Sequence, residues 1–178
     1  MTGRPDVPAL VAEDHVCRAC GLAYANVDVA TAPAQLAVLV GAFEQVVRAV
    51  PVEVLARRPE PSVWSPAEYA CHVRDVLMVY TIRLHRARKE DRPALEPMYN
   101  DLRARRFGYR YADVPAVLAQ TRAAADGLTA EIARLRPDDW SRTATRLPGE
   151  ERTARWLVRQ ALHEVRHHTV DIGAVAAR

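Results

Sequence analysis

Between Pro33 and Pro51 the apolar residues Leu36, Leu39, Val40, Phe43, Val46, Val47 and Val50 recur at the 3.6-residue spacing of a helix with one buried face. That pattern constrains the fold most, because it returns three more times along the chain. After a proline-rich connection, the segment "PEPSVWSPAEY" offers Ser65 as an N-cap, Pro66 at the first helical position and Glu68 at the third, which together form a capping box. The second helix that follows has an inner stripe of Tyr69, His72, Val73, Val76, Tyr80 and Leu84. Asp113 is placed to cap a third helix running to about Arg136, with Val114, Val117, Leu118, Leu128, Ile132 and Leu135 on its apolar side and Gly127 as a local weak point. Thr153 is placed to cap a fourth, to about Val175.

Between these helices no stretch alternates with period two for the length of a convincing strand, and no internal repeat is present. Residues 91–112 hold two prolines, a glycine and three tyrosines, and predict a long connection with a short helix or a lid. Residues 1–32 show little periodicity and predict an irregular arm that packs on the rest. The expected architecture is therefore all-α: a four-helix bundle over 33–178 with long connections, preceded by the arm at 1–32.

Charge and composition narrow the function classes. The net charge of +3 is spread through interspersed acids, and the densest basic run, Arg83 to Arg92, is interrupted by Glu90 and Asp91. A nucleic-acid binder concentrates its charge in a patch, so no nucleic-acid partner is expected. No run is long enough to span a bilayer and the first residues do not read as a signal peptide, so the expectation is a cytoplasmic protein without a membrane partner. Three cysteines, Cys17, Cys20 and Cys71, make a disulfide framework a poor reading.

The fourth helix contains "ALHEVRHHTVDIG", a literal H-E-x-x-H. On a helix His163 and His167 lie about 40° apart and one turn along the axis, so both imidazoles can reach one cation, whereas His168 points about 100° away from His167. The zincin protease reading fails on the next ligand, because Val170 and Gly173 stand where the extended motif needs Gly and His. Bundle metal sites draw instead on inward side chains of facing helices, and His72 on the inner stripe of the second helix is the natural third ligand. His72, His163 and His167 would leave coordination positions open, as in a catalytic metal site. By ligand type zinc is favoured, with nickel, iron or manganese as alternatives.

Glu164 and Asp75 are the candidate catalytic groups, each with a competing reading. Glu164 can serve as general base towards metal-activated water, or face solvent and pair with His168. Glu68, Asp75, Gln160 and Asp171 bracket the histidines and can orient an imidazole, although Glu68 has its own task in the capping box. The arm supplies Cys17-Arg18-Ala19-Cys20-Gly21, a C-x-x-C-G knuckle. One knuckle gives two ligands where a closed zinc site needs four; His15 and Cys71 are candidates for the remainder, and redox chemistry or plain packing are the other readings.

"WSPAEYACHVRD" followed by "ALHEVRHHTVDIG" resembles the DinB-like, or YfiT-like, family of metal-binding four-helix bundles. The likeness spans Trp64 to Ile172 and rests on one histidine in the second helix and His-x-x-x-His in the fourth, matched by His72, His163 and His167. It implies a divalent metal on those three side chains and a small-molecule substrate. Relatives with known activity are thiol-dependent isomerases and S-transferases. The implied function is mycothiol-type thiol transfer or thiol-assisted isomerisation with a low-molecular-weight thiol co-substrate. Metal-dependent hydrolysis, and a non-catalytic metal-binding or stress-response role with homodimerisation through exposed helix faces, are the alternatives.

Overall fold

A computed structural model describes residues 7–177. Four long helices are present among them: α1 (Ala32–Ala49), α3 (Pro66–Lys89), α5 (Val114–Ile132) and α6 (Ala154–Ala176), with the short α2 (Val52–Leu55) and α4 (Asn100–Arg106) in the connections. α3 packs against α5 and α6, and α1 closes the circuit by packing on those same two helices. Each long helix turns its periodic stripe inward, so that Leu36, Phe43, Leu77, Leu84, Leu118, Leu128, Leu157, Leu162 and Ile172 are all but sealed from solvent. No helix among the described residues is long and apolar enough to cross a membrane.

Local chemistry sets the helix starts. Ser65 accepts from the Glu68 amide and Glu68 accepts from the Ser65 amide, completing the capping box of α3. Thr153 accepts from the Trp156 amide at 3.1 Å and caps α6. Asp113 precedes α5 without forming a side-chain cap, and α5 ends at Ile132, one turn short of the expected Arg136. Its carboxyl-terminal continuation loosens into turns ahead of Pro137, which cannot extend a helix.

A small antiparallel ladder, β1 (Thr143–Thr145) with β2 (Glu151–Thr153), precedes α6 in the register Thr143↔Thr153, Ala144↔Arg152 and Thr145↔Glu151. It departs from the strand-free expectation because three residues per strand are too few to show alternation. Leu95 donates to the Thr145 carbonyl at 2.6 Å, which ties the long connection before α4 to this ladder.

The arm packs as expected but is locally ordered. Val16 bridges Ala23, a single 3₁₀ turn covers Tyr24–Asn26, and Cys17, Cys20, Leu22, Tyr24 and Val27 join the bundle core. The arm is fastened to the start of α6. Glu13 accepts from the Thr153 amide at 2.7 Å, the Trp156 indole donates to the Ala12 carbonyl at 3.2 Å, and Arg152 donates to the carbonyls of Leu10 and Val11.

Candidate metal centre

α6 carries four adjacent donors, and its 100° step per residue sends them to two sides. Glu164 and His168 face α3; His163 and His167 face the arm. His72, in the second turn of α3, therefore meets the first pair. Its Nε2 lies 3.1 Å from Glu164 Oε2, the same oxygen lies 3.1 Å from His168 Nε2, and the two imidazoles meet edge to face at 4.8 Å. The three donor atoms lie within 4.8 Å of one another.

The three histidines expected to share one ion all line one cavity, but their donor atoms fall into two separate groups. Among the described residues, no donor cluster unites His72 with both His163 and His167. The i,i+4 logic was sound, but two such pairs interleave on this helix, and the pair that looks at α3 is Glu164 with His168. Cys17 and Cys20 of the knuckle gather with His163 and His167 instead. Cys71 lies apart from them, buried against the Tyr109 carbonyl, and His15 meets His163 only ring to ring, at 5.5 Å.

The surrounding groups hold the α3-facing cluster in place. Gln160 donates to Glu164 Oε1 at 2.5 Å and is itself hydrogen-bonded by the Tyr24 hydroxyl. His168 Nδ1 lies 2.8 Å from Asp171 Oδ2, which fixes the imidazole with Nε2 towards Glu164. Trp64 packs edge-on against His72, its indole N–H donating to Asp101 at 2.9 Å. Burial pushes the His72 pKa down. Burial would also raise the Glu164 carboxyl, but hydrogen bonds with His168 and His72 outweigh it and hold that group well below the usual carboxylate range. Burial opposes a charged His168, yet Asp171 and Glu164 bring it up to about 9. A half-buried carboxylate and two imidazoles that together stabilise one positive charge form a donor set suited to a divalent cation.

Asp75 has a different task. Arg74 Nε donates to Oδ1 at 2.8 Å, while Arg103 Nη2 at 2.5 Å and the Tyr109 hydroxyl engage Oδ2. It ties α3 to α4 and the turn after it, outside the cavity described below. Glu68, likewise, is held by its cap and by two bonds from Arg58, at 2.8 and 2.6 Å.

The α3-facing cluster lies against a cavity of about 730 Å³, whose lining also includes His163 and His167. Residues 7–11 of the arm form one wall and residues 97–102, entering α4, another. Arg83, Arg105 and Arg146 also line it, and Tyr99 at its edge has left-handed backbone, with φ of 49°. No residue pattern in the arm signals in advance that it walls this cavity. Glu164 and His168 had a usable signal, since E-x-x-x-H puts two donors on one helical face as well as H-x-x-x-H does.

YfiT from Bacillus subtilis, described as a probable metal-dependent hydrolase with an unusual four-helix bundle topology, has a similar structure. The TM-score is 0.80 at 16% identity, over 96% of this chain and 93% of YfiT. Two structures of mycothiol-dependent maleylpyruvate isomerase, one a histidine-to-alanine variant, match at TM-scores of 0.68 and 0.66 with 14% and 15% identity, over 84% of this chain but 62% of theirs. No curated protein sequence matches the chain. The model of the DinB superfamily matches residues 35–172, a span that includes His72 and all four donors of α6; the chain belongs to the DinB superfamily.

Proposed function

We propose that this chain is a divalent-metal-dependent enzyme that joins or rearranges a small anionic molecule with a low-molecular-weight thiol of the mycothiol type. The observation that carries this reading is the convergence of His72, Glu164 and His168 beside an arginine-lined cavity of about 730 Å³. Two imidazoles and a carboxylate would hold the ion, zinc by ligand type, with coordination positions left for a ligand from the cavity. When bound, the ion supplies Lewis acidity that stabilises the anionic form of such a ligand.

The remaining chemistry belongs to the protein. Asp171 holds the His168 imidazole, and Gln160 holds Glu164, so neither donor needs to reorganise when substrate arrives. The guanidinium groups of Arg83 and Arg105 give the cavity a positive field suited to carboxylate or phosphate substituents, whereas Arg146 is paired with Glu150 at 2.9 Å. Its volume is within the range of small-molecule sites and accommodates a substrate together with part of a co-substrate.

Thiol chemistry is favoured over hydrolysis by the state of the carboxylates. Glu164 is engaged at both oxygens, and Asp101, the other lining carboxylate, accepts from Trp64. A zinc ion would bring bound water to a pKa of about 7, but hydrolysis also needs a free acid or base to move protons to and from the leaving group. A thiol near 8.5, by contrast, needs a shift of only one or two units to ionise at neutral pH and then attacks unaided. The second reading, hydrolysis, draws support from the likeness to YfiT, which extends over nearly all of both chains.

The full chain loaded with zinc should bind a mycothiol-type thiol saturably and, with an electrophilic unsaturated organic acid, either consume the thiol to an S-linked product seen by mass spectrometry or isomerise the acid only while the thiol is present, seen by chromatography. His72→Ala and His168→Ala should abolish binding and turnover while leaving the fold intact by circular dichroism. Thiol-independent cleavage of esters or amides by the same preparation would favour hydrolysis. Metal binding with no turnover of either kind would favour the non-catalytic alternative.

A further inference from the structure

We infer that the arm and α6 together form a second, closed metal site, in which Cys17, Cys20, His163 and His167 hold a structural zinc ion. It shares no donor with His72, Glu164 and His168, so it stands or falls apart from the proposed activity. The four donor atoms lie within 4.8 Å of one another, and Cys17 Sγ is 3.4 Å from His167 Nδ1. Around a tetrahedral zinc, with bonds of about 2.3 Å to sulfur and about 2.0 Å to nitrogen, neighbouring donors are separated by roughly 3.3 to 3.8 Å. Small side-chain adjustments would bring this set to that geometry.

His163 supplies the independent sign of a ligand. Only 8% of its surface is exposed, and both ring nitrogens are buried without a hydrogen-bond partner. Buried polar groups in folded proteins are almost always paired, because stripping one of water without compensation costs free energy. The ring is fixed among His15, Tyr24 and His167, at centroid distances of 5.5, 5.7 and 5.2 Å, and none of these supplies a partner. Coordination satisfies one nitrogen at once and accounts for an imidazole that the sequence buries beside two thiols.

The backbone of the arm is shaped for the same purpose. The Cys17 amide donates to the Leu22 carbonyl at 2.9 Å and the Gly21 amide to the Cys17 carbonyl at 2.8 Å, folding the knuckle into a tight turn. Gly21 is at φ +71°, left-handed backbone that glycine adopts without steric cost. The turn presents both cysteines to one side, and Arg166 anchors it to α6 by donating to the Cys20 carbonyl at 2.8 Å. Two thiolates would neutralise a divalent ion, so the completed site carries no net charge into its buried setting. With four protein donors and no position left for substrate, its work is structural: it fastens the arm, and with it the cavity wall of residues 7–11, to the helix that bears Glu164 and His168.

Cobalt(II) titration of the reduced, metal-stripped full chain tests this. The wild type should develop intense tetrahedral cobalt bands with thiolate-to-metal charge transfer, bleached by zinc and complete by two equivalents, or by one in His72→Ala/His168→Ala. Charge transfer should vanish in Cys17→Ser/Cys20→Ser, fall by about half in Cys20→His, which keeps four donors, and persist in His72→Ala/His168→Ala. Absence of thiolate charge transfer in the folded wild type overturns the proposal whatever the variants do. So does its full retention in His163→Ala/His167→Ala, or its loss in His72→Ala/His168→Ala, which would assign the thiols to the other site.

Discussion

Glu164 is central to the chemistry of this molecule because one of its oxygens faces His72 and His168 equally, at 3.1 Å each. Glu164→Gln keeps the shape but removes the charge and leaves only a neutral carbonyl as donor. Zinc affinity at this site should fall by at least about tenfold, in line with the sensitivity of metal sites to ligand and outer-shell changes, as measured by chelator competition in the Cys17→Ser/Cys20→Ser background. Asp75, the other carboxylate that invites a catalytic reading, is engaged by three side chains outside the cavity lining. Burial opposes its charge, but bonds from Tyr109, Arg103 and Arg74 outweigh that and lower its pKa. A carboxyl depressed in the folded state contributes stability above its unfolded pKa of about 3.9, and that contribution is lost as the pH falls through the folded value. Asp75→Asn should therefore destabilise by about 2–3 kcal/mol at pH 7, as expected for losing charge-assisted bonds at a buried group. The gap between the two urea midpoints should narrow progressively below about pH 4.

At the scale of the element, long periodic stretches and their caps could be read in advance, because side-chain spacing reports directly on the buried face of a helix. Ser65 with Glu68, and Thr153, cap α3 and α6 as their sequence positions predict. The rotational setting of α6 could not be read that way. His163-Glu164-Val165-Arg166-His167-His168 contains two i,i+4 donor pairs one residue apart, and only packing against α3 on one side and the arm on the other decides which pair meets His72. The arm was opaque for a related reason, since its core residues Leu22, Tyr24 and Val27 follow no helical or strand period. Within α5, Gly127 remains a weak point of the kind its sequence suggests. It is exposed, and a Cβ added there would meet nothing within 4 Å. Gly127→Ala should raise stability by about 0.5–1 kcal/mol through helix propensity alone, seen as a higher melting temperature with metal content unchanged.

For the molecule as a whole, the arm and the bundle share one core, and this decides how the protein should open. Tyr24 is fully buried, packs near Trp156, and reaches through Gln160 to Glu164, so a change in the arm is felt at the metal centre. Tyr24→Phe removes one hydrogen bond from that chain and should cost about 1–2 kcal/mol, whereas Tyr24→Ala also empties a large core position and should cost about 3–5 kcal/mol. If the arm were a loosely docked appendage, its amides would exchange by local opening at far lower free energy than those of α6. The buried side chains, and the bonds that Thr153, Trp156 and Arg152 donate to Glu13, Ala12 and Leu10 of the arm, argue instead for one cooperative unit. Hydrogen exchange read by mass spectrometry should then give peptides over 15–27 and over 156–168 opening free energies within about 1 kcal/mol of each other, since both require global unfolding. Tyr24→Ala should lower the two together. Early exchange confined to 15–27 in the wild type would separate arm from bundle, and would remove the mechanical link between the knuckle and the wall of the cavity.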